Sequence, residues 1–545
     1  MQPEIPAAPA WVPALPASPD RPVYTLADSL YALCCILLGY MGVRWLFFGG
    51  YGFGTTAMLL LFCLAVGLYR RGTGAALPLT RWLWLGLIVL FSLSFSLYAQ
   101  GPVSFVCALF LWLLGTLWVS RAEDAGPLLR GSWPADACRA LCVLPFTAYS
   151  GLFGSLRRLL AKIPTKKPLR GVLLGLLLAV PVTLLVGALL MQADAAFSSL
   201  LDTVARVGVG EAVRQVFLSV LYLLLGIPAA AALFSLAFSS RHHLKKGVCG
   251  PAGWERVARE ARFAPRSVLY AALTPVCILY ALFFTAQSAY FLSAFQNLLP
   301  DGFAYADYAR RGFFELCAVA VINLILVACL QAFCKRQEGA TRPPAGVRVY
   351  TMLLSVCTLL LIATALRKML LYIDRYGLTP LRVYTSWFML LLAGVFLLLM
   401  LKQFFVRLPF VRTVGMLTAL LLGILCFGGV NGQIARHNVE QYQNGELEQM
   451  DVALLSRLGT DAVPALVRLA EDDTEAGREA RLSLRNERDA LDNVPFAQRS
   501  LSYYRAKKLL HSPAVEALLS TAEVYAEEPV FPSFPEEPYD ADWRL

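Results

Sequence analysis

Charge is scarce in this chain. Asp, Glu, Lys and Arg make up 16% of its 545 residues and apolar residues 58%, whereas a soluble domain carries about 25% charged residues. Too little polar surface remains for a water-solvated globule, so the chain must be solvated by lipid. The signatures of soluble catalysis are missing too. No GxxxxGK[ST], GxGxxG, GxSxG or HExxH occurs, which removes the phosphate cradle, the nucleophile elbow and the zinc helix. The chain therefore reads as a non-enzyme with no cofactor. Nor does its start look like a cleavable signal: the first 28 residues lack a cationic leader and carry seven prolines at a spacing near three, as in a Pro-rich, disordered tail with polyproline II character.

Cysteine is present, at 13 residues, but without metal or disulfide spacing. No CxxC occurs; Cys138 and Cys142 share a helical face with no nearby histidine, and His242 and His243 have only Cys249. Ten cysteines fall within apolar runs, where they act as small apolar groups.

What the chain does have is long apolar runs. A membrane-spanning helix needs about 20 such residues, and only helices or closed barrels satisfy every backbone amide in hydrocarbon. The runs are continuous rather than alternating, which excludes a barrel. Eleven spans are expected, at 29–48, 53–69, 82–98, 103–119, 171–192, 216–239, 267–289, 313–334, 348–374, 380–401 and 410–430. The fold class is thus all-α: a polytopic transmembrane bundle with a small extramembrane α-helical C-terminal region. The expected divisions are a tail at 1–28, a membrane domain at 29–430, a helical region at 431–525 and a disordered acidic tail at 526–545.

Lys and Arg set the orientation, because cytoplasmic loops retain them. The N-terminal tail and even-numbered loops hold 27 and the odd-numbered loops six, so the N-terminus is expected inside and the C-terminus outside. Residues 1–430 carry a net charge of +20 and residues 431–545 of −9. The basic loops adjoin spans, so the partner they imply is membrane lipid rather than nucleic acid. Two basic stretches, 252–266 and 156–162, have helical amphipathic spacing, as in helices lying against the headgroups or the underside of the bundle.

Polar groups at membrane depth mark where a site would be. The candidates are Asp194, Gln287, Glu315, Asn323 and Gln331, each of which is either an interhelical hydrogen-bonding group or part of a polar pathway. The turn after the ninth span adds Arg367, Asp374 and Arg382. Gly377 can end one helix, and Thr379 with Pro380 can cap and start the next. Arg382 is a cation at the positive end of a helix macrodipole, which calls for a partner: Asp374, a lipid phosphate or an anionic solute at the outer face.

Five segments carry a resemblance: ADAAF at 193–197, YARRGFFEL at 308–316, LYIDRYGLTPLR at 371–382, NGQIARHN at 431–438 and LGTDAVPAL at 458–466. In this order they resemble a bacterial multi-pass membrane family known as domain of unknown function 4173, related to domain of unknown function 4153. One departure is Asn431-Gly432 where that pattern has Asn-Pro. The resemblance implies a bacterial cell membrane and supplies no activity. Three function classes remain open. Transport or handling of a small molecule or lipid needs a water-accessible cavity lined by Gln287, Asn323 and Glu315. A sensor or scaffold needs a partner surface on the acidic tail or the basic loops. An intramembrane enzyme needs clustered acid, base and nucleophile groups.

Overall fold

The computed structural model describes residues 24–71, 79–98, 101–120, 129, 131–161, 175, 179, 186, 210–242, 244, 251–295, 305–336 and 342–526, without the side chains of 160–161, 210–214, 217, 251–252, 287–295, 305–312 and 521–526. Apart from residues 175, 179 and 186, the expected span at 171–192 lies outside the described residues, as do Asp194 and residues 1–23 and 527–545 of the expected tails, while the first helix begins at Leu26, inside the tail expected at 1–28. Among those described there is no strand, and ten helices are long and apolar enough to cross a membrane. They match the other ten expected spans. This is an all-α, multi-pass membrane protein.

The first helix, α1 (Leu26–Gly42), starts at a reciprocal cap: the Thr25 side chain accepts from Asp28 N, and Thr25 N donates to Asp28 Oδ2 at 2.6 Å. A π-turn (Val43–Phe47) extends it to the Gly-rich loop. Beyond the loop lie α2 (Phe53–Arg71), α3 (Leu79–Leu97) and α4 (Gly101–Ser120), then a short helical set, α5 (Trp133–Cys138), α6 (Leu144–Thr147) and α7 (Gly151–Ala161). Next come α8 (Gly210–Arg241), the amphipathic α9 (Pro251–Glu260) and five long helices. These are α10 (Arg266–Phe295), α11 (Tyr305–Phe333), α12 (Ala345–Tyr376), α13 (Pro380–Phe404) and α14 (Phe410–Phe427).

The stretch between α4 and the expected span at 171–192, expected as a cytoplasmic loop with an amphipathic helical stretch at 156–162, enters the membrane body instead. Its part from Trp133 to Leu159 is apolar enough to count as a span but bends by 44°. Ser235 Oγ donates to Leu144 O at 2.7 Å and accepts from Ala148 N, while Tyr149 reaches Pro228 O in the middle of α8. The chain then turns back, because Ser29 at the start of α1 donates to Ser155 O at 2.8 Å. The segment dips into the body and returns to the face it left, which charge counting cannot detect.

Two apolar cores fill the membrane body. One joins α1–α4, the dipping segment, α8 and the end of α14 around Phe91, Phe95, Trp118 and Phe234; the other joins α10–α13 around Phe313, Leu354, Met389 and Phe396. Glycine permits the closest approach in the first core. A Cβ on Gly39 of α1 or Gly226 of α8 would collide with the other's backbone, the small-residue contact that lets membrane helices touch where lipid supplies no hydrophobic drive.

Six further helices form a separate bundle: α15 (Val430–Gln443), α16 (Val452–Arg457), α17 (Val463–Ala470), α18 (Glu475–Asp492), α19 (Leu501–Leu510) and α20 (Pro513–Ala526). Asp451, Thr474 and Ser500 cap three of them by accepting from backbone amides. The short helices α16 and α17 are joined by a 3-10 turn at which Gly459 has φ 72°. Leu455, Leu458, Leu466, Leu469, Leu484 and Leu510 close the bundle core.

The bundle sits on one end of the membrane body. Phe53 N donates to Arg499 O at 2.9 Å, and Gly52 lies against the backbone of Gln498 with no room for a side chain. The ends of the body near Tyr69, Arg241, Ala264, Phe333 and Gln403 lie on the opposite face, tied by Arg241 to Tyr69 O, Ala264 N to Phe333 O and Arg348 to Gln403 O.

Candidate functional site

Of the candidate residues, those in the outer turn come together. Gly377 ends α12 with φ 71° and extended ψ, and Thr379 caps α13 by accepting from Arg382 N, with Pro380 first in the helix. Arg382 does not meet Asp374, correcting that expectation. Its Nη1 donates to Tyr376 O at 2.9 Å and to Gly377 O, and its guanidinium lies 4.1 Å over the Tyr372 ring. The cation that looked misplaced on α13 thus folds back onto the negative end of α12. Asp374 is exposed, and no ion pair involves it among the described residues. Arg367 is half-buried about two turns deeper in α12. The turn also anchors the bundle: the Asn438 amide accepts from Leu378 N at 2.7 Å and donates to Leu378 O at 2.8 Å, and Arg375 pairs with Glu448 at 2.7 Å.

Of the intramembrane candidates whose side chains are described, Asn323 and Glu315 do not converge. Asn323 is fully buried in a closed link, accepting from Tyr280 OH at 2.6 Å and donating to Thr358 Oγ1 at 2.9 Å, so it stitches α10, α11 and α12 together. Glu315 is exposed on α11, within electrostatic reach of Lys368. The side chain of Gln287 lies outside the described residues. No cavity among the described pockets joins these groups.

Two arrangements were missed from sequence. At the face away from the bundle, Tyr69 OH donates to the fully buried Asp28 at 2.6 Å, Tyr31 stacks on Tyr69 at 4.3 Å, and Arg241 lies 4.5 Å over the same ring. Arg70 beside it donates to Ser240 at 2.8 Å. The Thr25–Asp28 spacing was the available signal, a helix cap carrying a carboxylate.

The second lies at the seam between body and bundle. A cleft of about 350 Å³ is lined from the body by Gly50, Tyr51 and Gly101 and from the bundle by Thr460, Glu487, Gln498, Ser500 and Tyr503 among others. Ser502 links its hydroxyls, lying 2.9 Å from both Thr460 and Ser500. Burial pushes the Glu487 carboxyl above its ordinary pKa. Beside the linkage Asp461, largely buried, is pushed up to about 6 by burial, which outweighs the opposing pull of Ser502 and Arg505. Each of these residue types is common, and only the fold brings them together, so no sequence spacing announces the cleft. No group of three or more metal-ligating side chains occurs among the described residues.

Residues 85–469 match the model of a family described as a domain of unknown function, DUF4153. The chain belongs to the DUF4153 family. The matched stretch covers the Asn323 link, the outer turn and Thr460, while Glu487, Gln498, Ser500 and Tyr503 lie beyond it. Gly50 and Tyr51 precede it, so the cleft is built partly from DUF4153 sequence and partly from the segments on either side of it. No curated protein and no solved structure matches the chain.

Proposed function

We propose that this DUF4153 member is a non-enzymatic protein of a bacterial cell membrane that binds a small polar solute at its outer face, in the cleft between membrane body and bundle. The bacterial setting rests on the resemblance to domain of unknown function 4173. The orientation rests on the cations: the N-terminal tail and even-numbered loops carry 27 against six, so the N-terminus is cytoplasmic and the bundle extracytoplasmic.

The cleft itself supports binding most directly. Within a lining that is largely apolar, the hydroxyls of Thr460 and Ser500, the Gln498 amide and the Glu487 carboxyl suit a solute carrying amine or hydroxyl groups on an apolar frame. A solute held there touches both layers, so its binding energy is coupled to how the bundle sits on the body, as a sensor requires. Solute passage is the second reading. In its favour, Thr351 and Ser355 share a face of α12 with Thr358 and bury hydroxyls that have no hydrogen-bond partner among the described residues. Against it, Asn323 is closed into its three-helix link.

Thermal unfolding of the full chain against a panel of amino acids, polyamines and sugars tests the proposal. A solute that raises the melting temperature of the wild type but not of Glu487→Gln supports it. A panel without effect, or a shift that Glu487→Gln leaves intact, contradicts it.

A further inference from the structure

On the face opposite the bundle, Arg262, Arg336, Arg348 and Lys402 gather from four separate stretches of chain. A parallel bridge between Ala264 and Cys334, with Ala264 N to Phe333 O and Lys335 N to Ala264 O both at 3.1 Å, lays the segment before α10 along the exit of α11. Arg336 donates to Gln331 O at 3.3 Å, Arg348 to Gln403 O at 3.1 Å and Lys402 to Leu408 O at 3.0 Å. All four side chains are half-buried. Arg262 and Lys402 each lie within electrostatic reach of Arg336, and burial together with the charge of Arg262 pulls the Arg336 pKa down.

Arg336 and Arg348 bond carbonyls in the last turns of α11 and α13, where each macrodipole supplies about half a negative charge, and Lys402 bonds Leu408 O in the turn before α14. Four cations therefore meet roughly one negative charge, and no carboxylate pairs with any of them among the described residues. Two donors are also in excess: Arg348 Nε and Gln331 Nε2 are buried with no acceptor among the described residues. General attraction between inner-leaflet lipid and basic loops needs cations that splay outward, as the exposed Arg407 and Arg412 do. Half-buried Arg262 and Lys402 within electrostatic reach of Arg336, and Arg348 bonded to Gln403 beside Lys402, together with spare donors, call for an anion bearing several acceptor oxygens. We propose that Arg262, Arg336, Arg348 and Lys402 form a binding site for a phosphate group between the exit of α11, the start of α12 and the end of α13. The phosphate chemistry is shared by two sources, the headgroup of an anionic lipid and free phosphate.

The test uses the full chain in two arms, with Arg336→Gln and Arg348→Gln as site variants and Arg407→Gln as control. In the first, protein reconstituted in phosphatidylcholine containing phosphatidylglycerol is released and its retained phosphatidylglycerol counted by native mass spectrometry. In the second, inorganic phosphate is titrated at constant ionic strength and thermal unfolding is tracked. The site variants should lower the response of one arm roughly tenfold, the loss of a charge-assisted hydrogen bond, while Arg407→Gln leaves it intact. The arm that responds identifies the source. Arg348→Lys, which keeps the charge and loses the fork, reports at that position if Arg348→Gln does not fold. Equal losses in site variants and control, or no response of the wild type in either arm, would overturn the proposal.

Discussion

At the scale of single residues, partners decide what a charge does. Arg382 makes its bonds to Tyr376 O and Gly377 O rather than to Asp374, so Arg382→Gln should lower stability by about 1 kcal/mol while Asp374→Asn changes nothing measurable. Thermal unfolding of both variants checks this, and equal losses would restore the ion pair. Asp461 gives a pH dependence. Its folded pKa of about 6 lies above the ordinary 3.8, so the native state holds the proton more tightly than the unfolded one. Its contribution is greatest below about pH 4 and is lost as pH rises to about 6. Asp461→Asn should remove that slope and stabilise the protein at pH 7 by on the order of 1 kcal/mol. Unfolding profiles of wild type and variant between pH 4 and 7 would show it; parallel slopes would refute the assignment.

At the scale of elements, the spans were legible because hydrocarbon imposes length and apolarity on them. The cap at Thr379 and Pro380 was legible because its signals are local in sequence. Arg382's partners were not, since they depend on how the chain reverses between α12 and α13. The dipping segment was missed because its helices are too short to register as a span and its arginines resemble loop cations. Helix contact depends on small residues as much as on apolar ones. Because Gly39 and Gly226 meet backbone to backbone, Gly226→Leu should separate α1 from α8 and cost about 1–3 kcal/mol, the usual range for overpacking. A clear fall in the yield of folded protein is the expected result, and a Gly67→Leu variant, whose Cβ meets nothing within 4 Å, should fold normally.

At the scale of the whole molecule, a membrane body carries a helical bundle on one face and a basic surface on the other. The candidate site divides as the fold does. Asn323 was visible as a polar residue in an apolar run, whereas Thr460, Glu487 and Ser500 meet Tyr51 only across more than 400 residues of chain. Orientation can be tested in intact cells stripped of native cysteines. An impermeant thiol reagent should label a Cys placed at the exposed Glu479 of the bundle and miss one at the exposed Arg256 of α9. Labelling of Arg256→Cys alone would invert the topology.

The docking of bundle on body is the claim on which the cleft and its proposed solute depend, and one pair of residues tests it most directly. A Cβ at Gly50 would lie 3.9 Å from Cβ of Gln498, within the span of a relaxed disulfide, whose Cβ atoms sit about 3.5–4.5 Å apart. In a cysteine-free background, Gly50→Cys with Gln498→Cys should crosslink on mild oxidation of intact membranes. Proteolysis between body and bundle would then release no free bundle until a reductant is added. Two thiols that both react with a maleimide yet never join would contradict the seam.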